Sequence, residues 1–173
     1  MNRRYPGALT VSRVFLKILR VLNLATGAGL VIALPATFLF EPIFFEFFSK
    51  QPPRIDSAWL VPTLRAWMLL ALAMVAAVHV VFSRLLAMVE TVRAGEPFVP
   101  ENAVRLNTIA WCGLAIQVLH LTFGAMAKTM NAAGSNIHWE FSLNGWLAVV
   151  LVFVLARVFE EGTRLRADLE AMI

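Results

Sequence analysis

Four stretches of this chain contain no Asp, Glu, Lys or Arg: Val21–Phe40, Ala66–Ser83, Leu106–Ala127 and Phe141–Ala156. A helix needs about 20 apolar residues to cross a hydrocarbon core roughly 30 Å thick. The blocks therefore predict four transmembrane helices and an all-α, integral membrane four-helix bundle, one domain spanning 1–173. The second and fourth blocks are short when charge alone bounds them. Arginines at positions 65, 84 and 157 can snorkel, and apolar neighbours lengthen both spans.

The rest of the composition follows from this. The chain is 60% hydrophobic and 15% charged over 173 residues, whereas soluble domains carry roughly 45–50% apolar and about 25% charged residues. The net charge of +4 would suggest nucleic acid in a soluble protein. Beside hydrophobic spans it is instead an orientation signal, and no direct nucleic-acid binding is expected. Eleven of the 15 Lys and Arg residues fall in the N-terminal segment, in Arg84–Arg105 and after Ala156; four fall in the other two loops. That bias places both termini in the cytoplasm. The basic start resembles a signal peptide, but the 20-residue run Val21–Phe40 is too long for a typical h-region and no A-x-A site follows. We read it as an uncleaved first span. The single cysteine, Cys112, lies within a span and has no internal disulfide partner.

The first outer loop combines Phe44, Phe45, Phe47 and Phe48 with Pro52-Pro53, a pattern suited to the headgroup region. Trp59 and Trp67 flank its return, and Trp139 and Trp146 anchor span four as interfacial aromatics. Gly134-Ser135-Asn136 makes the second outer loop polar. On the inner side, Leu85, Leu86, Met88, Val89 and Val92 continue helix two beyond Arg84. Gly95 is suited to end it in a left-handed conformation. Pro97 prevents a restart there, and Pro100 with Glu101 suits the first turn of helix three. Phe98 is expected to fold back onto the bundle or the lipid interface. After Arg157 the tail 157–173 reads as an amphipathic helix. Val158, Gly162, Leu165, Leu169 and Met172 form one stripe, and Glu160–Arg164 an i,i+4 pair on another face.

Ionisable or polar groups within spans are candidate functional residues. His79 and His120 raise the further alternative of a haem or quinone redox protein, but their depths differ by about 15 Å at 1.5 Å per residue, so they do not match as ligands of one iron. No metal-ligand spacing occurs. Gln117 and His120 share a helix face and, with Asn144, define the alternative of a polar path in a small transporter or channel component. A neighbouring helix to hydrogen-bond is the simpler role. Pro35 and Asn144-Gly145 are read as kinks or packing points, and Ala25-x-x-x-Gly29 and Ala73-x-x-x-Ala77 as helix–helix contacts. No cofactor is expected. Neither a nucleophile motif nor a glycine-rich phosphate loop is present, so no enzyme activity is expected.

Two places carry a family likeness. One is Gly95-x-Pro97-Phe98 followed by Glu101-Asn102 and Leu106. The other is Phe159-x-x-Gly162-x-x-Leu165 ahead of an acidic C-terminus. There the chain resembles bacterial four-span inner-membrane proteins grouped as a domain of unknown function. Members end in an Asp-Leu-Thr-Ile/Val-like sequence; this chain has Glu170-Ala171-Met172-Ile173, without the threonine. The resemblance implies a multi-pass protein of the bacterial inner membrane, often encoded beside a small helix-turn-helix regulator. It suggests a cytoplasmic partner met by Gly95, Pro97, Phe98 and Asn102 in the turn and Phe159, Gly162, Leu165 and Leu169 in the tail. A homo-oligomer in membrane lipid is compatible with the same layout. The opposing expectation for the stripe is packing against Leu85, Met88 and Val92.

Overall fold

The computed structural model describes residues 6–43, 46, 57–132 and 136–172. Among these residues there are four long helices and no strand: α1 (Pro6–Leu39), α2 (Ser57–Arg93), α3 (Pro100–Ala132) and α4 (Leu143–Glu170). All four are long and apolar enough to cross a membrane. The protein is an all-α, multi-pass membrane protein. The phenylalanine pairs at 44–48, Pro52-Pro53, Gly134-Ser135 and the Trp59 side chain lie outside the described residues.

The short uncharged blocks belong to longer helices. Even α4, with 28 residues, is about 42 Å long at 1.5 Å per residue, against a hydrocarbon core of roughly 30 Å. Charge marks where a helix leaves hydrocarbon, not where it ends. Thus α1 starts at Pro6 and runs on through Pro35, and α2 continues to Arg93 as its apolar spacing predicts. The start of α4 falls two residues after Phe141, because Ser142 accepts a bond from the Gly145 backbone N–H at 3.2 Å and caps the helix. Such a cap satisfies one of the orphan donors of a helix start.

The helices pack in chain order: α1 on α2, α2 on α3 and α3 on α4, with no helix contact among the described residues that skips a neighbour. All three pairs are antiparallel. Between α1 and α2, Arg13 meets Glu90 at 2.7 Å at one end. At the other, the Arg65 guanidinium donates to the Thr37 carbonyl at 2.8 Å and to Glu41 Oε2 at 2.7 Å. It also lies 3.7 Å from the centre of the Phe38 ring. Thr37 is 0% exposed. Its carbonyl lies in the last turn of α1, where the helix supplies no partner, and the Arg65 bond fills that need.

Midway, Asn23 Nδ2 donates to the Val75 carbonyl at 3.0 Å. A Cβ built on Gly27 would lie 3.0 Å from Val75 Cγ1, whereas one on Gly29 would meet nothing within 4 Å. The α1–α2 contact is therefore made by Asn23 and Gly27, not by Ala25 and Gly29, which are exposed. The two pairs share the i,i+4 spacing but differ by two residues, about 200° around the helix. Ala73 is likewise exposed, and Ala77 only half-buried.

Gly27→Leu should lower the melting temperature of the purified protein in detergent, with a cost of about 1–3 kcal/mol from overpacking. Gly29→Leu should leave it nearly unchanged. Equal effects would place the contact on the wrong face.

Candidate functional site

The connection between α2 and α3 is built around one glycine and one asparagine. Gly95 has φ +88°, a conformation that glycine adopts without steric cost. Its N–H donates to the Val92 carbonyl at 3.1 Å, and the Glu96 N–H reaches back to the Thr91 carbonyl at 3.0 Å. These are the paired bonds of a Schellman motif, and they stop α2 where the sequence places the stop. Pro100 begins α3 four residues after Glu96, with Glu101 in its first turn.

Asn102 holds this turn together from inside. It is 0% exposed. Its amide nitrogen donates to the Pro97 carbonyl and to Thr91 Oγ1, each at 2.8 Å, and its oxygen accepts from Arg105 at 2.8 Å. The Thr91 hydroxyl in turn donates to the Met88 carbonyl at 2.8 Å. A buried amide with this many partners ties the end of α2, the turn and the start of α3 into one unit. Asn102 is expected at a partner surface from the sequence; the structure buries it and uses its amide to hold the turn. Thr91 and Arg105 were not singled out in the sequence. The available signal was a threonine in the last turn of the helix, between Glu90 and Val92.

Phe98 projects from the turn onto α4. Its ring centre lies 5.4 Å from that of Phe159, and a Cβ on Gly162 would stand 3.2 Å from Phe98 Cδ1. The absence of a side chain at Gly162 lets the ring lie close against the helix. Three of the expected surface residues are thus brought together in one internal contact. Beyond it, Leu165 is 57% and Leu169 63% exposed, with Val158 and Met172 exposed as well. The stripe does not pack on Leu85, Met88 and Val92, because among the described residues α3 is the helix that α4 touches. Nor does Glu160 pair with Arg164: it accepts from Arg157, one turn earlier, at 2.9 Å.

The intramembrane polar residues are distributed over separate contacts. Gln117 packs its amide against the backbone of Gly145, where any Cβ would overlap it. His120 lies 5.5 Å, ring centre to ring centre, from Trp139. The Trp139 indole N–H donates to the His120 carbonyl at 3.2 Å, and the ring covers Gly124. Gly113, Gln117, His120 and Gly124 recur at helical spacing and form the face of α3 that receives α4 and Trp139. Asn144 is exposed, and His79 is half-buried on α2.

Residues 49–173 match the family described as protein of unknown function DUF2975. The chain belongs to the DUF2975 family. The match takes in the turn, the Phe98–Phe159–Gly162 contact and the tail, and leaves α1 outside. No curated protein and no solved structure matches the chain. In this DUF2975 protein the matched segment contains α2, α3 and α4.

Asn102→Ala would leave Thr91, the Pro97 carbonyl and Arg105 without their shared partner. A loss of about 1–3 kcal/mol is expected, read as a lower melting temperature and faster proteolysis between residues 94 and 99. Gly95→Ala, which must adopt the left-handed conformation, should cost roughly 1 kcal/mol by the same assay.

Proposed function

We propose that this DUF2975 protein is a non-enzymatic, multi-pass protein of the bacterial inner membrane, with both termini cytoplasmic, that holds a cytoplasmic regulatory partner. The observation that carries the reading is the exposed stripe on the last two turns of α4. Leu165 and Leu169 stand on a helix with one neighbour, beyond the level where the uncharged block ends. An amphipathic helix of this kind can lay its apolar side into a partner groove. The Phe98–Gly162 contact fixes where that helix leaves the bundle. The Lys and Arg bias puts the turn and the tail on the cytoplasmic side.

A small helix-turn-helix regulator is the partner class suggested by the family resemblance, and the basis of that step is association. The transporter or channel reading draws less support. Its polar residues Gln117, His120 and Asn144 would need a common cavity, whereas Gln117 packs on Gly145, His120 lies against Trp139 and Asn144 is exposed. The haem reading is weak on other grounds: His79 and His120 differ in depth by about 15 Å at 1.5 Å per residue, too much for two ligands of one iron.

The test is co-purification of the full-length chain from its native host beside Leu165→Glu. A soluble DNA-binding protein retained by the wild type and lost by the variant, at equal melting temperature, is the expected outcome. A stripe of internal packing would instead lose stability with the charge. Retention by both forms would remove the tail from the proposal.

A further inference from the structure

Between α3 and α4, towards the end of the bundle that holds Gly95, lies an open groove of about 720 Å³. This is within the roughly 300–1,000 Å³ of small-molecule pockets. Its lining divides in two. One half is apolar: Val104, Trp111, Phe153 and Ala156, with the Trp111 and Phe153 rings edge to face at 5.5 Å. The other half is polar: Asn107 from α3, and Arg157, Glu160, Thr163 and Arg164 from α4. Arg157 is the first charged residue after the uncharged block of α4. The groove therefore crosses the level at which hydrocarbon gives way to headgroups.

The charges in it are unbalanced. Two arginines face one carboxylate. Arg157 reaches Glu160 at 2.9 Å, but its side chain is 84% exposed, and an exposed pair of this kind contributes little. Arg164, expected to pair with Glu160, forms no ion pair among the described residues. Thr163 turns its hydroxyl to the Phe159 carbonyl of its own helix. Arg157 and Arg164 are two turns apart on one side of α4, about 10.5 Å along the axis.

We propose that this groove binds one anionic phospholipid from the surrounding leaflet. Its phosphate sits between Arg157 and Arg164 with the Asn107 amide opposite, and an acyl chain runs down over Trp111 and Phe153. A guanidinium has five donors, so Arg157 can serve Glu160 and a phosphate together. Basic pockets between transmembrane helices are suited to anionic headgroups. With two arginines against one carboxylate, the groove favours a headgroup of net negative charge over a zwitterionic one. This is separate from partner docking by Leu165 and Leu169, which do not line the groove.

The full-length protein in mild detergent would be titrated with phosphatidylglycerol, phosphatidylcholine of the same chains, and glycerol 3-phosphate as the headgroup alone. Bound lipid would be counted by native mass spectrometry. One phosphatidylglycerol per chain is expected, held roughly tenfold more tightly than phosphatidylcholine, with glycerol 3-phosphate far weaker. The double variant Arg157→Gln, Arg164→Gln should reduce phosphatidylglycerol to the phosphatidylcholine level. Ala103→Trp, which fills the groove and keeps every charge, should weaken both lipids. Arg84→Gln, which removes a boundary arginine of α2 outside the groove, should change nothing. Equal binding of the two lipids overturns the proposal. So does an Arg84→Gln loss as large as that of the double variant, which would indicate surface charge alone.

Discussion

In a bilayer the surroundings of a helix are as apolar as its own side chains, so burying leucine against leucine gains little over leaving it in lipid. Helices are held instead by close backbone approach and by a few polar bonds. Each interface of this protein shows that economy. Gly27 admits Val75, Gly162 admits the Phe98 ring, and Gly124 admits Trp139. Asn23, Asn102 and Arg65 supply bonds between α1 and α2 or between α2 and α3. The large aliphatic side chains of α1 and α4 are mostly left outward, towards lipid.

This division explains what was legible in the sequence. The four helices follow from blocks without charge, and the stop at Gly95 follows from local backbone chemistry, because a positive φ is written in the residue itself. Helix partners are another matter. Ala25/Gly29 and Asn23/Gly27 offer the same spacing, and nothing local says which side of α1 turns to α2. The rotation depends on what Val75 presents across the interface. Asn102 was legible as part of a motif, but its burial was not. That requires Thr91 and Pro97 to converge on it, which only the folded turn brings about. Glu160 illustrates the smallest such ambiguity. Arginines lie three residues before it and four after it, and the earlier one takes the carboxylate.

The turn and the tail are mechanically joined. Asn102 fixes the turn that carries Phe98, and Phe98 rests on Gly162 in α4. A displacement of the tail helix therefore bears on the same ring as a displacement of the turn. The groove between α3 and α4 lies beside this contact and shares its helices. Whatever occupies the polar half, at Arg157 and Arg164, stands one turn or less from the residues that direct the tail outward.

The contact order of the helices also has a consequence for biogenesis. Among the described residues, each helix touches only the helices made immediately before and after it. A chain emerging from its N-terminus can thus complete each hairpin as it enters the membrane, with no early helix waiting for a late partner to close a ring. Such near-neighbour topologies are the kinetically easy ones. They also leave the first and last helices with open flanks. α1, which packs on α2 alone among the described helices, can then be strained or displaced without breaking any contact that α3 makes with α2 or α4.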